Sequence, residues 1–245
     1  MSQSPAASAS TGTSDAYSAW KGRSYLAFGS FTKGEARAFA WQLRRLGYDR
    51  KVVRILEIGF GNGNFLGWAH SRGHEVHGIE TNSSLVLKAQ GQGFPAFISL
   101  DEIPTGMAYD LIVALDVLEH IPLDQLPGLF SELKTRLLPG GCMIFRFPNG
   151  DSPFGRAIQY GDLTHVTVLG SDRVVQLCSM TGLRISHRGE APWYVIHPER
   201  PIKGLLYAGL RWGLERFLHK VYFKRRIALS PNLLVIVERD AGSVL

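Results

Sequence analysis

The feature that most constrains this chain is a glycine-rich bend, Glu57-Ile58-Gly59-Phe60-Gly61-Asn62-Gly63, set at the end of the apolar run Val52-Val53-Arg54-Ile55-Leu56-Glu57-Ile58. A run that is apolar with little alternation reads as a strand buried on both faces. Residues Asn64 to Arg72 then read as a helix, stopped by Gly73. Glycines at 59, 61 and 63 let the backbone take positive φ and come close to a ligand. Such a bend lies beyond the carboxyl end of a strand, where open α/β sheets bind their ligands. It is not a dinucleotide fingerprint, which needs Gly or Ala where this chain has Asn64. A phosphate-cradling loop is excluded too, because no Lys followed by Ser or Thr is present there.

The pattern continues as alternating strands and helices. A helix is expected over Ala36 to Leu46, a strand over His74 to Ile79 and a helix over Asn82 to Gln90. Pro95 to Ser99 reads as a short strand and Asp110 to Leu115 as an almost wholly apolar one. A helix over Leu123 to Leu138, stopped by Pro139-Gly140-Gly141, precedes a strand over Cys142 to Phe147. Ser171 to Thr181 reads as a helix closed by Gly182, followed by strands at Leu183 to His187 and Asn232 to Glu238. This order predicts an α/β fold, a mostly parallel sheet with helices on both faces. The last two strands are far apart in sequence, so residues 191–231 read as an insertion with structure of its own.

Length and composition suit this picture. The 245 residues fit one domain over 16–245, after a Ser/Ala/Thr-rich leader over 1–15 that has little to bury and is expected to be disordered. Cys142 and Cys178 are too few for a disulfide framework and read as buried free thiols, which fits a reducing cytoplasm. No apolar run reaches the roughly 18–20 residues of a membrane span. The net charge of +6 is uneven: Arg200 to Arg226 holds eight Lys and Arg against Glu215 alone.

Glu80 stands just past the second strand, 21 residues after Gly59. An acid there can accept both hydroxyls of a ribose. With it, the chain resembles the class I S-adenosylmethionine-dependent methyltransferases. Val53 to Gly63 looks like their first motif and Glu80 like their second. Tyr109 to Ile121 looks like their fourth-strand motif, and Leu138-Pro139-Gly140-Gly141 like the turn before their fifth strand. The resemblance covers roughly residues 35–190 and implies a Rossmann-like seven-stranded sheet ending in an antiparallel hairpin. It also implies S-adenosyl-L-methionine as cofactor. Glu57 would then hold the bend and approach the methionine amino group, with Gly59, Phe60, Gly61, Asn62 and Gly63 beside the methionine and ribose. Glu80, with Thr81 next to it, would bind the ribose hydroxyls. One of Ser99, Leu100 and Asp101 would meet the adenine amine, and the main chain at Leu115 and Asp116 would face the methionine end.

The acceptor side is expected at the same sheet edge. Glu119-His120 follows the fourth strand, and Tyr160-Gly161-Asp162-Leu163-Thr164-His165 lies in a long polar loop from Pro148 to Gly170. His120, His165 and Asp162 are the candidate catalytic residues, since a hydroxyl acceptor benefits from a base. Tyr160 and Asn149 are the candidate acceptor-binding residues. No metal is assigned, a ligand role for Glu119 and His120 being the lesser alternative. Phe147 to Phe154, Asp162 to Val166 and Leu229 to Val235 resemble a branch found with bacterial surface-polysaccharide synthesis. That branch implies a sugar hydroxyl as acceptor. A quinone or other small lipophilic acceptor, or a cofactor-binding scaffold without turnover, are the competing readings.

In the insertion, Leu206, Leu210, Leu214, Phe217, Leu218 and Val221 fall at helical spacing among Lys203, Arg211, Arg216, Lys220, Lys224, Arg225 and Arg226. A basic amphipathic helix over 203–226 can lie on an anionic membrane surface, or bury its stripe on the domain or on a second copy in a homodimer. Nucleic acid is the weakest partner class, because no RNA-binding motif accompanies the charge.

Overall fold

The computed structural model describes residues 27–189, 200–223 and 228–239; the expected leader over 1–15 and residues 191–199 and 224–227 of the insertion, with Lys224, Arg225 and Arg226, lie outside them. Seven strands form one sheet: β1 (Arg54–Ile58), β2 (Glu75–Ile79), β3 (Ala96–Phe97), β4 (Tyr109–Leu115), β5 (Leu137–Pro148), β6 (Leu183–Arg188) and β7 (Asn232–Arg239). Their order is β3-β2-β1-β4-β5-β7-β6. Neighbours from β3 to β5 run parallel, and β7 runs antiparallel to both β5 and β6. The expected α/β fold with its antiparallel end is therefore the observed one.

Side-chain alternation along each strand builds a separate core on each face. Leu56, Ile112, Ala114, Met143, Phe145 and Val235 pack on one face with Phe130, Leu133 and Leu177. Ile55, Leu111, Val113, Ile144 and Ile236 pack on the other with Phe39, Leu43, Phe65 and Leu66. The helices that supply these layers are α1 (Lys33–Arg45), α2 (Asn64–Ser71), α3 (Ser83–Gly91), α4 (Leu126–Thr135), the single turn α5 (Arg156–Gln159) and α6 (Ser171–Thr181). The insertion contributes α7 (Pro201–Val221). Cys142 and Cys178 are buried free thiols, and burial pushes the Cys142 thiol up to about 12.

Several boundaries differ from the sequence reading, among them the start of α4 at Leu126 and the shortening of β3 to Ala96–Phe97, and two have a clear local cause. Helix α1 begins three residues early because Thr32 and Glu35 form a capping box, the Thr32 side chain accepting from the Glu35 N–H and the Glu35 carboxylate from the Thr32 N–H. Helix α4 ends at Thr135, well before the expected Leu138. Leu137 already pairs with Tyr109, and the register jumps to Leu111 opposite Cys142. Pro139-Gly140-Gly141 is thus an irregularity inside β5, with Gly140 at φ 77°, instead of the stop of a helix.

Helix α7 is exposed along most of its length. Leu206, Leu210, Leu214 and Phe217 are exposed by 48–63% of their surface. Among the described residues no helix is long and apolar enough to cross a membrane.

Candidate active site

The glycine bend runs from the end of β1 to the start of α2. Gly59, Gly61 and Gly63 take φ of 67°, 52° and 73°, a region that L side chains rarely adopt. Their surroundings differ. A Cβ on Gly59 would lie 2.5 Å from Val117 Cγ2, and one on Gly63 would lie 2.7 Å from Phe28 Cζ. A Cβ on Gly61 would meet nothing within 4 Å. The outer two glycines are therefore demanded by packing, and the middle one borders open space. Phe60 points into the core, 4% exposed and packed over Gly78, so only its main chain belongs to the bend.

Sequence reasoning missed the lid on this bend. Phe28 covers Gly63, and the Gly29 N–H donates to the Asn62 carbonyl at 2.9 Å. The backbones of Gly29 and Gly67 touch, and a Cβ on Gly67 would lie 2.0 Å from the Gly29 carbonyl oxygen. The paired glycines are visible in the chain, but nothing in their spacing links them.

Two acids flank the bend. Glu80 follows β2, and its Oε2 accepts from the Gly61 N–H at 3.0 Å while Oε1 accepts from the Asn82 N–H at 3.0 Å. Thr81 is exposed and donates its hydroxyl to the same carboxylate at 3.3 Å. Glu57 is 4% exposed, and its Oε2 is buried with no hydrogen-bond partner. Burial lifts its carboxyl well above the usual range, and the nearby charge of Glu80 adds to the rise; a hydrogen bond from the Leu66 backbone opposes it. A buried carboxylate oxygen left without a partner asks for a donor or cation from outside the chain.

Beyond β4, Asp116 is the one non-glycine residue with positive φ among those described, at 59°. Its carboxylate is held by Arg146, whose Nε lies 2.9 Å from Oδ1 and whose Nη2 contacts Oδ2. The Asp116 N–H donates to the Arg146 carbonyl at 2.8 Å, so side chain and main chain are tied to β5. Leu115 is half-buried beside it. Ser99, Leu100 and Asp101 open a short 3-10 turn after β3, with Asp101 exposed.

The loop after β5 docks on the turn after β4. Val166 and Thr167 donate their N–H groups to the Glu119 carbonyl at 2.9 and 3.0 Å, and the Thr167 hydroxyl donates to the Ile121 carbonyl at 2.6 Å. This docking brings His120 and His165 edge to face with ring centroids 4.7 Å apart. His165 Nδ1 lies 3.1 Å from the Gln159 carbonyl, which can only accept, so Nδ1 carries the proton. Its Nε2 then faces Glu119 Oε1 at 3.9 Å and Asp162 Oδ2 at 3.7 Å. All three side chains are at most 8% exposed. Asp162 Oδ1 accepts from the Thr164 hydroxyl at 2.6 Å, and that hydroxyl lies 2.9 Å from His120 Nδ1. Glu119 joins this cluster as a side chain as well as through its carbonyl.

The two expected acceptor-binding residues part company. Tyr160 is 67% exposed. Asn149 is 1% exposed, and its amide donates to the carbonyls of Ala228 at 2.8 Å and Ser230 at 3.0 Å while its Oδ1 accepts from the Asp151 N–H at 3.1 Å. That amide clamps the loop after β5 to the segment leading into β7.

Residues 31–188 match the family model described as a methyltransferase domain. Among solved structures, the chain is similar to a SAM-dependent methyltransferase from Archaeoglobus fulgidus, at 18% identity over 85% of this chain and 95% of that one, with a TM-score of 0.58. It is similar to a TehB-like SAM-dependent methyltransferase from Corynebacterium glutamicum, at 18% identity over 93% and 98%, with a TM-score of 0.58. It is also similar to magnesium protoporphyrin IX methyltransferase from Synechocystis with bound SAH, at 14% identity over 92% and 95%, with a TM-score of 0.56. No curated protein matches the chain.

Proposed function

The chain belongs to the methyltransferase-domain family, and from that premise we propose that it methylates a sugar hydroxyl of a surface-polysaccharide or glycolipid precursor, with S-adenosylmethionine as donor. The residues present fit that cofactor. The partnerless Oε2 of Glu57 suits an amino group, the open space at Gly61 suits a ligand close to the backbone, and the Glu80 carboxylate suits a pair of ribose hydroxyls. When bound, the cofactor supplies a methyl group already activated by its sulfonium.

What remains for the protein is alignment and care of the acceptor proton. The observation that carries the hydroxyl reading is the cluster of Glu119, His120, Asp162 and His165 at the same sheet edge as the glycine bend. A hydroxyl oxygen gains negative charge as it attacks, and its proton needs somewhere to go. Two imidazoles and two carboxylates in one mostly buried cluster provide both stabilisation and proton capacity. An amine already neutral would need much less. Tyr160 offers an exposed ring near the cluster, suited to packing on the apolar face of a sugar.

Helix α7 supports a location at a membrane surface. Its exposed leucines and Phe217, together with Lys203, Arg211, Arg216 and Lys220, suit the anionic cytoplasmic face of a membrane, where lipid-linked glycans are built.

Transfer of a labelled methyl group from S-adenosylmethionine into lipid-linked and nucleotide-linked glycans tests this function. Label in a sugar oxygen is the expected result. Label that enters quinols but no glycan would replace the acceptor class, and no label in any acceptor despite cofactor binding would replace the enzyme with a scaffold.

A further inference from the structure

We propose that Glu119, His120 and His165 form a binding site for a divalent transition-metal ion, zinc by its ligand set. One ligand atom from each residue lies within 4.8 Å of the others. The residues come from two segments, the turn after β4 and the loop after β5, and the backbone bonds from Val166 and Thr167 to the Glu119 carbonyl fix one on the other. The ion deepens the acceptor reading above, because it would sit where the hydroxyl is expected. Its presence can be tested without that reading.

The imidazole protons decide which nitrogens can ligate. The Gln159 carbonyl takes the Nδ1 proton of His165 at 3.1 Å. The Thr164 hydroxyl gives its own proton to Asp162 at 2.6 Å, so toward His120 Nδ1, 2.9 Å away, it acts as acceptor. Both rings therefore use Nδ1 as a donor, which leaves Nε2 as the atom to ligate a metal, a bound ion taking the place of any proton there. A metal-bound histidine ordinarily donates its other N–H to a carbonyl, carboxylate or hydroxyl chain, as both do here.

Charge points the same way. His165 Nε2 faces two carboxylates, at 3.9 and 3.7 Å, in surroundings where the side chains are at most 8% exposed. A divalent cation bound at Nε2 would be neutralised by these carboxylates. Around a tetrahedral zinc, ligand atoms lie about 3.4 Å apart, so separations of up to 4.8 Å here close by up to about 1.4 Å on binding. Two histidines and one glutamate, with a fourth position open, match the ligand type of catalytic zinc. Asp162 stays outside as the residue that orients Thr164 and, through it, His120.

The test is calorimetric titration of the chelator-stripped protein with zinc chloride alone, beside magnesium chloride, with folding followed by circular dichroism. The expected result is one zinc per chain, preferred over magnesium. His165→Ala and Glu119→Gln should each weaken binding about tenfold or more, and Thr164→Val by about 10–100-fold as an outer-shell change. His70→Ala, on an exposed helix position, should change nothing. Thr164→Val keeps the test sound if loss of a buried ligand unfolds the chain. Absence of zinc binding, or binding that survives Thr164→Val, His165→Ala and Glu119→Gln unchanged, overturns the site. Zinc bound at this site without sugar methylation upholds it and removes only the acceptor class; sugar methylation without zinc binding removes the site alone.

Discussion

The carboxylate of Glu80 closes on the Gly61 N–H at 3.0 Å, across 19 residues of sequence, and so joins the end of β2 to the open member of the glycine bend. The same acid that would hold a ribose also shapes the bend beneath it. Glu80→Ala should weaken S-adenosylmethionine binding by about 1–3 kcal/mol, the cost of leaving hydroxyl partners unmatched. Calorimetry reads this directly, and unchanged affinity would remove Glu80 from the pocket.

The three glycines should not respond alike. Gly59→Ala places a methyl group 2.5 Å from Val117 and should lower thermal stability sharply. Gly61→Ala meets open space, so its cost to the fold should stay near the roughly 1–2 kcal/mol of backbone strain at positive φ, with a larger loss in cofactor affinity. Melting curves and titrations of the two variants side by side check the contrast. Equal destabilisation would mean that the middle glycine is also a packing residue.

Glu57 sets a pH dependence. Its carboxyl is raised in the folded chain, so the fold binds that proton more tightly than the unfolded chain does. The contribution is fully present below the ordinary value of 4.5 and is lost as pH rises through the higher folded value. Glu57→Gln should therefore melt no lower than the parent at neutral pH without cofactor, and should gain less from added S-adenosylmethionine. Thermal unfolding across pH, with and without cofactor, shows both effects. A variant that melts lower and gains the same would assign Glu57 to the fold alone.

His165→Ala should leave cofactor affinity nearly unchanged and lower turnover at least roughly tenfold, the low end for losing a positioned base or its equivalent. Single-turnover rates beside equilibrium binding separate the two. Unchanged turnover would take the cluster out of the reaction.

Changing Lys203, Arg216 and Lys220 to Gln should weaken partition onto anionic vesicles by about 1 kcal/mol per residue while leaving cofactor binding alone. Equal binding of parent and variant to anionic and neutral vesicles would sink the membrane role. A parent that runs as a dimer, with α7 protected, would give the helix face to a second copy instead.

The sheet was legible because buried strands advertise themselves. The β1 run, its glycines and Glu80 lie close in sequence, so their geometry follows from local pattern. The end of α4 was not legible, because Leu137 and Leu138 are as apolar as a helix needs and Pro139-Gly140-Gly141 looks like a stop. Only pairing of Leu137 with Tyr109 decides that the strand has already begun. At the acceptor side, His120 and His165 could be named from the chain, but not which nitrogen carries the proton. That depends on the Gln159 carbonyl and the Thr164 hydroxyl, groups every such chain possesses and no spacing rule points to. The cover that Phe28 gives Gly63 was hidden for the same reason.

The position of β7 between β5 and β6 has a consequence for biosynthesis. Strands β1 to β5 can pair as they emerge from the ribosome, but the open edge of β5 has no partner until residues 232–239 follow. For the time taken to translate some eighty residues after β5, the nascent protein displays that unsatisfied edge, and a chaperone that shields it would act on this interval above all others.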